Sequence, residues 1–195
     1  MEAGKYRAKG NGSINYFLLW TIRKQEIMNE FEQSYQLVEK KGTEEFLEKI
    51  YRKRFPDLLY TSKNHWNNSE SQQAGIDRIL IFPNKKTILV EEKVRDKDYS
   101  DIWLEYISND KTGKLGWIEQ NLNIDYLVYA FLPSQTAYFF DWKLLKRAWE
   151  ENKKTWTEHY KTPPARNKNY NSYGCPVPIE VLMKSMNRQM KVKIV

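Results

Sequence analysis

Ile88-Leu89-Val90-Glu91-Glu92-Lys93-Val94-Arg95 limits the possible folds more than any other stretch, because a run with the propensities of a buried β-strand carries three charges in a row. Isoleucine, leucine and valine suit a pleated, half-buried surface. Side chains alternate faces along a strand, so Glu91 and Lys93 share one face with Leu89 and Arg95, while Glu92 points to the other. Burying an unpaired charge is costly, so such a strand persists only if its charges are paired, bind a metal or line the mouth of a cleft. An edge strand with solvated charges is the plainer alternative. It fits less well, since Leu89, Val90, Val94 and the apolar residues 79–82 ask for cover on both faces.

Just upstream, Gln73-Ala74-Gly75-Ile76-Asp77-Arg78-Ile79-Leu80-Ile81-Phe82 opens with a small-residue turn and continues as an apolar strand. Pro83-Asn84-Lys85-Lys86 joins it to the charged run, and a connection of this length between two β-rich segments reads as a hairpin. An antiparallel pair would bring Asp77, near the start of one arm, close to Glu91 and Lys93, near the end of the other.

Two neighbouring carboxylates repel, and one has its pKa raised unless a cation lies between them. Magnesium suits such a pair, because it takes oxygens from one or two carboxylates and fills its remaining positions with water and substrate phosphate. These residues resemble the PD-(D/E)XK nuclease superfamily: Glu91-Glu92-Lys93 matches the (D/E)XK half, and Asp77 stands where that family has the aspartate of its PD half. Gly75-Ile76 precede Asp77 where the family's name leads one to expect proline. The Pro-Asp that does occur, Pro56-Asp57, heads no strand paired with residues 88–94.

The resemblance implies an α/β fold with a mixed central β-sheet flanked by helices. Its αβββαβ restriction-endonuclease-like core would cover about residues 43–150, with a helical N-terminal and a basic C-terminal extension. It also implies a Mg2+- or Mn2+-dependent deoxyribonuclease, with Asp77 and Glu91 as metal ligands and Lys93 orienting the attacking water. Glu92 joins the metal set at the family's variable position, where the backbone carbonyl faces the ion. Many relatives cut both strands as dimers, so a homodimer is compatible. A glutamate of the preceding helix sometimes joins the site; Glu44 and Glu48 border that helix's apolar stripe and Glu45 points away, but a solvated edge is the expected role.

With 195 residues, the chain can form one domain, set at residues 14–195 behind a basic, Gly- and Lys-rich N-terminus (1–13) expected to be disordered. No run is long and apolar enough for a membrane span, and the start has no signal-peptide h-region. A lone Cys175 excludes an internal disulfide and a cysteine zinc site, which makes a cytoplasmic location the default. Net charge is +7, of which residues 1–25 hold +4 and residues 161–195 hold +6, leaving −3 between them. Basic ends around a less charged core suit a polyanion partner, here DNA. Arg95, Lys97, Lys114, Arg166, Lys168, Tyr170 and Tyr173 are the candidate contacts, the tyrosines as stacking platforms.

Along the chain, residues 14–40 read as a helix ended by Lys41-Gly42, and Thr43 as the N-cap of a second helix over residues 44–54. Residues 58–60 suggest a short strand, and residues 61–75, including His65, a loop. Residues 101–108 alternate as a third strand of the sheet, with Glu105 as a surface acid or a second partner for Lys93 or Arg95. Residues 117–122 read as a short helix, 125–132 as a strand buried on both sides, and 136–140 as another strand. Asp141 should cap a helix from Trp142 to about residue 151. Residues 163–174 read as a flexible basic loop, 175–178 as extended, 179–186 as a helix and 191–195 as an edge strand.

Neither a phosphate-binding Gly-rich loop nor a Gly-x-Ser-x-Gly elbow is present, and two histidines, His65 and His159, cannot build a His-rich metal centre. Behind the nuclease stand two other readings: a catalytically inactive nucleic-acid- or protein-binding module on the same fold, and an assembly protein using its aromatic surface.

Overall fold

Apolar side chains fall on both faces of the strands between residues 79 and 140, so the sheet they build must be covered twice. The computed structural model of the chain describes residues 41–63, 75–186 and 191–193. In chain order it contains α1 (Lys41–Arg54), β1 (Tyr60–Lys63), β2 (Arg78–Ile81), β3 (Thr87–Arg95), β4 (Asp101–Asn109), β5 (Lys114–Leu115), β6 (Tyr126–Phe131) and β7 (Thr136–Asp141). Then follow α2 (Trp142–His159), β8 (Ala165–Arg166), β9 (Asn171–Pro178), α3 (Ile179–Met186) and β10 (Lys191–Lys193). The protein is therefore mixed α/β.

A six-stranded sheet runs β1-β2-β3-β6-β7-β10, and a four-stranded one β5-β4-β9-β8. In the larger sheet β3 and β6 are parallel and every other pairing is antiparallel. On one face, Phe46, Leu47, Ile50 and Tyr51 of α1 pack on Leu80, Val90, Val94, Val128 and Phe139. On the other, Leu127, Tyr129, Phe131 and Phe140 meet Ile102 and Leu104 of β4, Cys175 and Val177 of β9, and the inner faces of α2 and α3. Each fully buried side chain of this size contributes roughly 1.5–3 kcal/mol, so the sheet is locked from both sides.

Several expectations need correction. The strand at residues 101–109 does not extend the central sheet: β4 pairs with β5 and β9 in the second sheet. The place beside β3 goes to β6, whose residues 127–131 are all buried, whereas β4 leaves Trp103 and Glu105 half-buried on its outer face. A strand apolar on both sides needs a central position, and one that alternates does not. Residues 117–122 form no helix. The segment makes a single turn, with Glu119 N and Gln120 N donating to Gly116 O at 3.0 and 3.2 Å, while Gly116 N donates to Tyr106 O at 3.1 Å and Ile118 N to Glu105 O at 3.2 Å on β4.

Gly42 and Thr43 lie within α1, so they are neither C-cap nor N-cap there. One glycine inside a helix costs about 1 kcal/mol, less than the apolar face of α1 returns. The first strand lies two residues beyond the expected start, at Tyr60–Lys63. Asp141 does cap α2, its Oδ1 accepting from Leu144 N at 3.1 Å. That helix runs on to His159, because Trp156 continues the buried stripe of Leu145 and Trp149. Residues 163–174 are not a free loop: β8 pairs with the start of β9, and Asn167 N donates to Tyr170 O at 2.9 Å across the turn. The expectations for residues 1–40 and for 64–74, with His65, lie outside the described residues. Among the described residues no helix is long and apolar enough to cross a membrane.

Candidate active site

In the β2–β3 hairpin Arg78 faces Val90, which sets Asp77 opposite Glu91. Asp77 N donates to Val90 O at 2.8 Å, and its carboxylate Oδ2 accepts from Glu92 N at 2.7 Å. The backbone of one arm thus holds the acid of the other. The hairpin closes through residues 82–86, where Phe82 N donates to Lys86 O at 3.0 Å and Lys85 takes a left-handed φ of 62°. Upstream, Gly75 turns with φ 70° over Leu122, whose side chain would lie 2.7 Å from any added Cβ. A side chain there would strain the backbone and collide with the core just before Asp77.

Asp77, Glu91 and Lys93 thereby meet on one face. Burial first, and then the Glu91 carboxylate beside it, raise the Asp77 pKa to about 6, although Lys93 and the Glu92 amide work the other way. The Asp77 carboxyl lies close enough to Glu91 for the two charges to be felt strongly. Lys93 Nζ is ion-paired with Glu91. Burial opposes the charge on Lys93, but Glu91, Asp77 and Glu105 outweigh it and raise its pKa. Side-chain exposure is 28% for Lys93 and 10% for Glu91, so the cluster opens on solvent at the amine.

Glu92 projects from the opposite face, as strand alternation requires, and its carboxylate is fully engaged there. It accepts from Arg78 Nε at 2.6 Å and from the Tyr51 hydroxyl at 2.7 Å. Arg78, 1% exposed, also donates to Glu44 at 2.6 and 3.0 Å and lies over the Tyr51 ring at 5.4 Å. Burial alone would lower the Arg78 pKa, but the flanking Glu92 and Glu44 raise it. This Glu44–Arg78–Glu92–Tyr51 network ties α1 to β2 and β3 and removes the Glu92 side chain from any ligand set on the Asp77 face. Glu44 belongs to the network, while Glu48 pairs with Arg52 and accepts from Thr61, so neither is oriented as a ligand.

The rim comes from β4 and from the end of β3. Glu105, half-buried, lies in the electrostatic reach of Lys93, Arg95 and Lys114, yet burial prevails and raises its pKa. The register of β4 on β9 shifts between Glu105 and Ile107. Gly116 is pressed onto the bulge, with an added Cβ lying 2.1 Å from Glu105 O. Bulges beside a site commonly redirect a side chain. Arg95 shares the face of Lys93 and donates through Nε to the Tyr129 hydroxyl at 2.6 Å.

The other expected contacts are dispersed. Lys97 is exposed in the turn after β3, and Lys114 lies on β5 at one edge of the second sheet. Arg166, Lys168 and Tyr170 belong to the β8–β9 hairpin at the opposite edge. Tyr173 packs at 6.4 Å against Tyr106, which is stacked on Trp149, so its ring is part of the fold. Sequence reading overlooked Arg78 and Tyr129. The signal for Arg78 was there: alternation places it inward with Leu80, so a buried cation had to find an acid on the same face, and Glu92 is that acid. Among the described residues no group of three or more His, Cys, Asp or Glu side chains is placed to hold a metal ion.

Comparison of the chain with protein-family models, curated proteins and solved structures gives no match.

Proposed function

We propose that the chain is a Mg2+- or Mn2+-dependent nuclease that hydrolyses DNA phosphodiester bonds at Asp77, Glu91 and Lys93. The observation that carries this reading is that the β2–β3 register places Asp77 opposite Glu91, with Lys93 paired to Glu91 on the same half-buried face, where burial and Glu91 raise the Asp77 carboxyl to about 6. Like charges held together are destabilising unless something positive joins them, and a strongly perturbed acid beside a specific charge partner marks a candidate functional site. Two carboxylates fit an ion that completes its shell with water and phosphate oxygens, and do not fit a four-ligand zinc site. Asp77 and Glu91 would hold the ion, which supplies positive charge to the scissile phosphate and lowers the pKa of the attacking water.

The protein's own groups do the rest. The Glu92 amide fixes the Asp77 carboxylate, and Lys93, paired with Glu91 and partly exposed, would steady the water and the charge developing on phosphate. Hydrolysis adds one water across a P–O bond, leaving a phosphomonoester on one fragment and a hydroxyl on the other. A helix, a three-stranded meander and a parallel β6 beside β3 agree with the restriction-endonuclease-like order. The connection from β3 to β6 departs from it, passing through β4, β5 and turns in place of a helix.

Incubation of supercoiled, linear and single-stranded DNA with Mg2+, Mn2+ or a chelator tests the reading. We expect metal-dependent cutting that falls roughly a hundredfold or more in Asp77→Ala, Glu91→Ala and Lys93→Ala. Equal activity in all three variants would refute the assignment. Binding without cutting by the unaltered chain would leave an inactive binding module.

A further inference from the structure

Arg95 is held unlike the arginines on the α1 side of the sheet. Arg78 has two carboxylates, and Arg52 has one. Arg95 donates its Nε to the phenol of Tyr129, with the guanidinium carbon 5.2 Å from that ring's centroid. Tyr129, only 2% exposed, is itself fixed by burial and by packing against Phe131 at 5.5 Å. Asp101 and Glu105 are within electrostatic reach of Arg95, yet among the described residues no carboxylate forms an ion pair with it. A half-buried guanidinium is thus immobilised by neutral partners, leaving its two terminal amino groups for something outside the protein.

Its position names the ligand. Arg95 lies two residues beyond Lys93 on the same face of β3, roughly 7 Å along the strand. That is close to the distance between consecutive phosphates of a nucleic-acid chain. A planar fork pairs bidentately with phosphate oxygens, and a fork already fixed in place loses little freedom on binding. We propose that Arg95, held by Tyr129, is a preformed clamp for the phosphate next to the scissile one. The substrate therefore extends past Lys93 toward the end of β3 and must carry at least one further phosphodiester on that side. The choice of ligand rests on the nuclease reading, but the anion site itself does not.

Fluorescence anisotropy with the full chain and a short DNA duplex, with and without Mg2+, tests the clamp. A series of the same duplex, each with one phosphate replaced by an uncharged methylphosphonate, locates the contact. We expect Arg95→Gln and Arg95→Lys to weaken binding roughly ten- to hundredfold. Tyr129→Phe, which keeps the ring and loses the anchor, should weaken it by a smaller factor. In the unaltered chain one methylphosphonate position beside the cut should weaken binding, and in Arg95→Gln that replacement should have no further effect. If the chain cuts DNA while Arg95→Gln or Arg95→Lys keeps full affinity and the same methylphosphonate profile, the clamp is wrong and the nuclease stands. If binding depends on Arg95 and cutting is absent, the clamp stands and the nuclease falls. Failure of the unaltered chain to bind DNA would overturn both.

Discussion

Asp77 holds a carboxyl raised from 3.8 to about 6, so its charge works against the fold at neutral pH. The sign follows from linkage: a raised acid favours the folded state fully below the unfolded pKa, and that contribution is lost as pH climbs through the folded value. Stability of the metal-free protein should therefore decline between about pH 4 and pH 6, by about 3 kcal/mol at most from this group. Asp77→Asn keeps an acceptor for the Glu92 amide and removes the repulsion, so it should raise the midpoint of metal-free thermal unfolding at pH 7.5. A lower midpoint would mean that the Asp77 charge is stabilising. On the other face, Arg78→Met leaves Glu92 buried and unpaired and should cost roughly 3–5 kcal/mol in denaturant unfolding. Arg78→Met with Glu92→Met should recover most of that; no recovery would show that the network matters through more than its charges. The convergence of Asp77, Glu91 and Lys93 was legible because period-two alternation and a short hairpin leave little freedom. The partners of Glu92 were not, since they depend on the exact register of β2 on β3 and on the docking of α1.

Elements with one strong local signal could be read directly: the hairpin, the doubly apolar β6, the Asp141-capped α2 and the edge strand β10. Errors arose where an element's identity depends on its neighbours. Residues 101–109 have the pattern of a strand in any sheet, and only competition from β6 for the flank of β3 sends them to the second sheet. Residues 117–122 carry helix-forming composition, but Gly116 N and Ile118 N pin the segment to β4, and only one turn closes, through Glu119 N and Gln120 N on Gly116 O; Gly116 lies close against the Glu105 carbonyl. Gly116→Ala should push that backbone apart, costing about 1–3 kcal/mol and shifting the amide resonances of Glu105 and Tyr106. Unchanged resonances with unchanged stability would show that the bulge does not rely on this contact.

Across the whole molecule, the basic character noted in the chain is spread out, not gathered at the cleft: Lys114 and Arg166 stand on opposite edges of the second sheet. The paired acids on one face of the central sheet, the ion network on its other face and the arginine two residues past Lys93 all bear on one question, whether the Asp77–Glu91 site is built around a divalent cation. Proton and metal compete for Asp77, so affinity should increase as pH rises through about 6 and then level off. Calorimetric titration of the full chain with Mn2+ at pH 7.5 asks this most directly. The geometry predicts saturable binding at the Asp77–Glu91 pair that is lost in both Asp77→Asn and Glu91→Gln. No saturable binding, or binding that both variants retain, would contradict it.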